Sequence, residues 1–219
     1  MNEVLKLFCR ERVIPVISGV GPQTGVPLGQ ALAAGGVTTA EITFRHREAP
    51  KLLKAMYELC PGLCAGAGTI LNVEQAKNAR SCGARFIVTP AFNPWVTDYC
   101  LEHDIPVVPG VCTPYEVEQV LDKGLNFLKF FPAQAAGGTA MLRALAGPYG
   151  FVTFMPTGGI TEDNLLDYLS LDNVAACGAS WLAPQELIRK GNFDEITRRC
   201  KNARALADGT CIGKRRKIE

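Results

Sequence analysis

Histidine is scarce in this chain, with only His46 and His103 in 219 residues. Neither has a second ligand-type residue at helical or strand spacing, so no histidine-built metal centre is expected. Cysteine is plentiful but unpatterned: there are nine, an odd number, and no Cys-x-x-Cys. That removes both the spacing of a zinc module and the even framework of a secreted disulfide scaffold. The chain has no run of about 18 apolar residues, and its opening "MNEVLKLFCRERV" is too charged for a signal sequence. Neither membrane insertion nor secretion is expected; a cytoplasmic location with reduced thiols is. A net charge of +2 gives no general reason to expect nucleic acid or a membrane as partner, and the basic cluster "GKRRKIE" at 213–219 reads as a solvated tail. No linker, low-complexity segment or change of composition divides the chain, which predicts one domain spanning residues 1–219.

What the chain does have is a repeated alternation. With 47% hydrophobic and 20% charged residues it can bury a large core. Short apolar or β-branched runs read as strands at 13–18, 39–44, 63–70, 85–90, 106–111, 127–132, 152–158 and 174–180. Segments with apolar residues at three- and four-residue spacing follow each one, as in "PKLLKAMYELC" and "TPYEVEQVLDKG". Gly83 and Gly124 end two of these helices, and Asn72 and Thr161 stand where N-caps belong. Eight βα units of about 27 residues each predict an α/β fold, a (β/α)8 TIM barrel, with "NEVLKLFCRERV" as an extra N-terminal helix.

In such a barrel the chemistry sits at the C-terminal strand ends. Period-two alternation in "TAEITFR" turns Ile42 and Phe44 toward the helices and Thr39, Glu41, Thr43 and Arg45 inward. In "NFLKFFPAQ", Leu128 and Phe130 turn outward, while Phe127, Lys129 and Phe131 turn inward. Glu41 and Lys129 therefore share one interior, with Arg45 near the rim. Burial disfavours a charged ammonium, and a neutral amine is a nucleophile toward ketones. Glu41 could then move protons while a carbinolamine forms and collapses to an imine. A buried ion pair that only fills the barrel has the same spacing. His46, next to Arg45, reads as an exposed loop residue.

Two further segments point to an anion. "PTGGI" at 156–160 ends the seventh strand and "CGAS" at 177–180 ends the eighth. Barrels often hold phosphate there, because glycine lets backbone N–H groups approach it. Gly158, Gly159, Gly178, Ala179 and Ser180 form the predicted cradle.

The ordered set "GGVTTAEITFR", "GAGTI", "VTPAF", "IPVVPGV", "LKFFPAQAAGG", "PTGGI" and "GASW" resembles the 2-keto-3-deoxy-6-phosphogluconate (KDPG) and 4-hydroxy-2-oxoglutarate (KHG) aldolase family over most of the chain. The resemblance implies a class I aldehyde-lyase, independent of metal or other cofactor. Such an enzyme splits a 2-keto-4-hydroxy acid, a sugar-acid phosphate, into pyruvate and an aldehyde. By motif position it implies that Lys129 forms the Schiff base and that Glu41 is the acid/base, acting through a water. It also implies that Arg45 and Thr69 hold the pyruvyl carboxylate, with Pro90, Phe131 and Thr157 lining the same pocket. Gly158, Gly159 and Ser180 would take the phosphate, and the assembly would be a homotrimer.

This chain departs from the family pattern in two places. Relatives are expected to carry a basic stretch after the first strand, where this chain has "SGVGPQTG", and an acid after "KFFPA", where it has Gln134. Related galactonate aldolases share much of the motif set, which leaves the C4 configuration of the substrate open. A sugar-phosphate isomerase, epimerase or decarboxylase would keep the two phosphate loops without needing Lys129 beside Glu41. So would a non-catalytic sugar-phosphate-binding barrel.

Overall fold

The computed structural model describes residues 2–209. Cys211 and the basic cluster at 213–219 lie outside the described residues. Helix α1 (Glu3–Glu11) precedes strand β1 (Val13–Ile17), and α2 (Gly25–Ala34) leads to β2 (Thr39–Thr43). Next come α3 (Ala49–Leu59), β3 (Cys64–Gly68), α4 (Val73–Ser81), β4 (Ile87–Val88) and α5 (Pro94–Glu102). The fifth predicted strand is two pieces, β5 (Val107–Val108) and β6 (Gly110–Val111), followed by α6 (Pro114–Leu121) and β7 (Phe127–Phe130). The chain closes with α7 (Gly138–Ala146), β8 (Thr153–Pro156), α8 (Leu165–Leu169), β9 (Cys177–Ala179), α9 (Gln185–Arg189) and α10 (Phe193–Gly209).

The strands are parallel and lie in two sheets, one in the order β5-β4-β3-β2-β1-β9 and one in the order β6-β7-β8. Pro109 explains the break between them. It has no N–H to give to a ladder, and the next amide, Gly110 N–H, donates to Thr89 Oγ1 at 3.2 Å. Isolated parallel bridges, Phe154 to Val174 and Thr157 to Gly178, run between the β8 and β9 segments.

Alternation sorts the strand residues into two cores. Leu128, Phe130, Ile42 and Ala67 join the larger cluster, which packs against helix residues such as Leu52, Leu53 and Met56 of α3. Ile14, Phe86, Val88, Val108, Phe127 and Met155 form a second cluster with Phe8 of α1. Phe8 meets Phe86 edge-on at 4.9 Å between ring centroids. Each fully buried Leu or Phe contributes roughly 1.5–3 kcal/mol relative to exposure. Truncating Leu53 to Ala would cost about 2–5 kcal/mol.

Helix ends follow the sequence signals with one correction. Asn72 accepts from Gln75 N–H at 2.9 Å, and Gly83 and Gly124 have φ of 87° and 75°. Thr161, however, is not an N-cap: α8 begins at Leu165 with Asn164 at the cap position. Thr161 instead exchanges hydrogen bonds with Asn164 within the preceding turn. Helix α2 carries Pro27 in its first turn, where the missing N–H has no partner to lose. Among the described residues, no helix is long and apolar enough to cross a membrane.

Candidate active site

Strands β2 and β7 belong to different sheets, yet the structure brings one residue of each into contact. Lys129 Nζ lies 3.3 Å from Glu41 Oε1, and the two side chains are 3% and 0% exposed. The backbone of Lys129 is pinned, its N–H donating to Pro109 O at 2.8 Å while the residue pairs in register with Gly110. Gly110 in turn leaves no room for a side chain, since a Cβ there would run into the carbonyl of Pro90. The Phe131 ring centroid lies 5.1 Å from Lys129 Nζ and gives the amine an aromatic wall.

A second buried carboxylate shows how differently such a group can be used. Glu11, 3% exposed, accepts from Thr38 N–H at 2.7 Å, from Thr38 Oγ1 at 2.5 Å and from Thr39 Oγ1 at 2.5 Å. Both of its oxygens are satisfied, and it ties α1 to the base of β2. Glu41, two residues further along β2, has one oxygen on Lys129, while its Oε2 has no hydrogen-bond partner among the described residues. A buried oxygen in that condition costs about 1–3 kcal/mol, more for a charged group, so its retention marks a place where a polar ligand or water belongs. Thr157 Oγ1 is also buried and without a partner among the described residues.

The rim is built by two loops. Arg45, two residues beyond β2, donates from Nε to Thr69 Oγ1 at 3.2 Å. Thr69 has a φ of 58°, a left-handed conformation that is rare for a β-branched residue. Strain of this kind, of order 1–3 kcal/mol, tends to collect at functional sites. His46 is exposed, as its sequence position predicts, and its Nδ1 accepts from Glu48 N–H at 3.3 Å. Cys112, just past β6, is half-buried; burial and then the Glu116 carboxylate push its thiol above the ordinary value.

The two glycine turns stand on neighbouring strand ends, joined by the bridge between Thr157 and Gly178. A side chain at Gly178 would collide with Thr157 Oγ1. Gly158 and Gly159 both have positive φ, 96° and 77°, and a Cβ on Gly158 would come within 3.2 Å of the Phe131 ring. Ala179 pairs with Pro15 of β1, and Ser180 is exposed immediately beyond it. Lys129, Glu41, Phe131, Arg45, Thr69, Pro90 and Thr157 are thus linked through neighbouring strand ends, and the Gly158–Gly159 turn touches that group at Phe131. No hydrogen bond joins Ser180 to the Gly158–Gly159 turn among the described residues.

Sequence reading missed Gly68. A Cβ there would fall on Glu41 Oε1, so the carboxylate occupies the space this glycine leaves. Its signal was the alternation of small residues in "GAG", where Gly66 likewise makes room for the Phe86 ring.

A family profile described as KDPG and KHG aldolase matches residues 4–199. The 2-dehydro-3-deoxy-phosphogluconate aldolase of Treponema pallidum (strain Nichols) is 45% identical over 197 residues, covering 90% of this chain and 94% of its own. The KHG/KDPG aldolase of Escherichia coli (strain K12) is 39% identical over 191 residues, covering 87% of this chain and 90% of its own. Among solved structures, the KDPG aldolase of Legionella pneumophila, with pyruvate captured as a covalent carbinolamine, superposes with a TM-score of 0.87. It is 38% identical and covers 90% of this chain and 96% of its own.

Proposed function

The chain belongs to the KDPG and KHG aldolase family, and from that premise we propose that it is a class I aldolase. It cleaves 2-keto-3-deoxy-6-phosphogluconate to pyruvate and glyceraldehyde 3-phosphate, and 4-hydroxy-2-oxoglutarate to pyruvate and glyoxylate. The observation that carries the residue assignment is the buried pair of Lys129 and Glu41 with one carboxylate oxygen left over. A pair kept only for structure would have its remaining lone pairs satisfied, as Glu11 does.

The chemistry follows from the geometry. Lys129 gives its proton to Glu41, its 3.3 Å neighbour, and the free amine adds to the C2 ketone. Glu41 returns the proton to the carbinolamine oxygen, which leaves as water, and an iminium remains on Nζ. The iminium withdraws electrons from C3. When the C4 hydroxyl loses its proton to the carboxylate, the C3–C4 bond breaks, the aldehyde departs and an enamine stays on the lysine. Protonation at C3 and hydrolysis of the imine release pyruvate and restore the amine.

Arg45 and Thr69 hold the carboxylate of the keto acid, while Pro90, Phe131 and Thr157 line its pocket. Gly158, Gly159, Gly178, Ala179 and Ser180 receive the phosphate. Backbone N–H groups suit this role, because they offer donors without the desolvation cost of a buried cation.

The two sheets form one (β/α)8 barrel within a single domain, a reading supported by the bridges between β8 and β9 and by the single residue, Pro109, that separates β5 of one sheet from β6 of the other. Helix α1 closes one end with Phe8. The active assembly is a cytoplasmic homotrimer. Exposed Leu71, Trp95 and Tyr115, at the starts of the helices after β3, β4 and β6, give it an apolar surface to bury.

The test is a cleavage assay with both keto acids, and with the C4 epimer of the phosphorylated one, following pyruvate release. Pyruvate and glyceraldehyde 3-phosphate in equal amounts from the gluconate-derived substrate are expected. Cleavage of the galactonate-derived epimer alone would overturn the substrate assignment, and no pyruvate from any of them would overturn the activity.

A further inference from the structure

Val16 of β1 faces the same interior as Glu41 and Lys129. Val13 and Ile17 pack into the larger cluster on the helix side, whereas Ile14 joins Phe8, Phe86 and Phe127 in the second cluster. Alternation turns Val16 the way of Ile14, one step closer to the C-terminal strand ends. There it stands in register with Glu41, so the two side chains project from one face of adjacent strands whose backbones run about 4.8 Å apart.

The exposure of Val16 shows what lies in front of it. Ile14, Pro15 and Ile17 are buried, yet Val16 is only half-buried. Both edges of β1 are covered, by β2 and by β9. With the edges and the helix side closed, the free surface of Val16 opens onto the space that Lys129 and Glu41 enter. Glu41 has a second neighbour across the ladder, Gly66 of β3, which carries no side chain. Gly68, the next residue on that face, leaves its own space to the Glu41 carboxylate. The carboxylate therefore lies over β3, and Val16 is the branched side chain on its β1 side.

We propose that Val16 is a specificity-determining residue of this aldolase: its branched side chain abuts C3 of the lysine-bound keto acid and admits only hydrogens there. This rests on the reading of Lys129 as the Schiff-base lysine and Glu41 as the acid/base. With C2 bonded to Nζ and the C4 hydroxyl against the Glu41 carboxylate, C3 lies between them, level with Val16. Pyruvate then serves as the enamine donor, and 2-oxobutanoate, whose enamine bears a methyl on C3, is excluded. Imine formation alone places the ethyl group of 2-oxobutanoate where the C3–C4 chain of the substrate runs. Val16 thus acts on making and breaking the C3–C4 bond and leaves imine formation alone.

The experiment runs the reaction in the direction of addition. Enamine C3 attacks the aldehyde carbon of glyceraldehyde 3-phosphate, the carbonyl oxygen takes a proton from Glu41, and water hydrolyses the product iminium. Wild type, Val16→Ala and Val16→Ile are compared with pyruvate and with 2-oxobutanoate as donor, after thermal melts establish folding, and each keto acid is also trapped with borohydride. Wild type should trap both on Lys129 but favour pyruvate in addition by about tenfold to a hundredfold, the range that one methyl group decides in an apolar pocket. Val16→Ala should reduce that preference about tenfold, and Val16→Ile should increase it. The Ile variant also keeps the test open if the Ala variant fails to fold. A wild-type preference near one, or a preference unmoved in the folded variants, overturns the role of Val16 and leaves the Schiff-base reading standing. If wild type traps neither keto acid, that reading falls and the proposal with it.

Discussion

Glu41 Oε1 sits 3.3 Å from Lys129 Nζ across the interior of two parallel sheets, and the carboxylate's other oxygen has no partner among the described residues. Glu11, equally buried but with both oxygens hydrogen-bonded, is the structural counterpart against which the proposed reactive pair is set.

That contrast predicts opposite phenotypes for one substitution made twice. Glu41→Gln keeps the shape and removes the proton carrier, so kcat should fall by about 10²–10⁴ with little change in melting temperature. Glu11→Gln should leave kcat within about twofold but cost about 1–3 kcal/mol of stability, because at least one threonine donor loses its acceptor. Steady-state kinetics and denaturant melts on the two variants check this; a catalytic loss confined to the Glu11 variant would contradict it.

Gly68→Ala should act on catalysis through Glu41. The added methyl occupies the space of the carboxylate oxygen, so Glu41 must move away from Lys129. Displacement of about 1 Å at a reacting group can cost about 10²-fold. The expected result is a kcat lowered by about that factor in a folded protein. The pH profile should shift as well, which a loss of stability alone would not produce.

Arg45→Lys should weaken both substrates alike. A lysine cannot reproduce the planar fork that binds a carboxylate while Nε contacts Thr69. KM should rise about tenfold for phosphorylated and unphosphorylated keto acids. A change confined to the phosphorylated one would place Arg45 at the wrong end of the substrate.

The capping box at the start of α6 gives a pH-dependent prediction. Burial raises the Glu116 pKa, but N–H groups of Cys112 and Thr113, the Thr113 hydroxyl and the Cys112 thiol outweigh it and hold the carboxyl below its ordinary value of 4.5. A carboxyl lowered on folding stabilises the protein above its unfolded pKa, and that contribution is lost as pH falls through the folded value. Glu116→Gln should therefore cost about 1 kcal/mol at pH 7, in the range of a helix cap, and the difference should shrink once the pH drops below 4.5. Thermal melts of both proteins from neutral to acid pH measure it.

The part of the site that follows strand alternation was legible in the sequence. Lys129 and Glu41 carry the wrong polarity for their runs, and alternation alone turned both inward. Phe131 and Arg45 followed from the same count. What could not be read one-dimensionally are contacts made between segments. That Gly68 clears the space for Glu41 depends on how β3 lies beside β2, and the meeting of Arg45 with the left-handed Thr69 depends on how the loops after those strands lie together. Pro109 splits the fifth strand because Thr89 offers the next amide an alternative acceptor. Gln134 gained its position only when Tyr168, 34 residues later, was brought against it. Thr161 was misplaced because a turn, closed by its exchange of hydrogen bonds with Asn164, intervenes before α8 begins at Leu165.

The central claim is that Lys129 forms an imine with the keto acid, and incubation with pyruvate and borohydride followed by intact and peptide mass spectrometry tests it most directly. The account predicts one reduced pyruvyl adduct per chain, on the peptide carrying Lys129, and none in Lys129→Ala. Folded, active protein that gains no adduct, or gains it on another lysine, would contradict it.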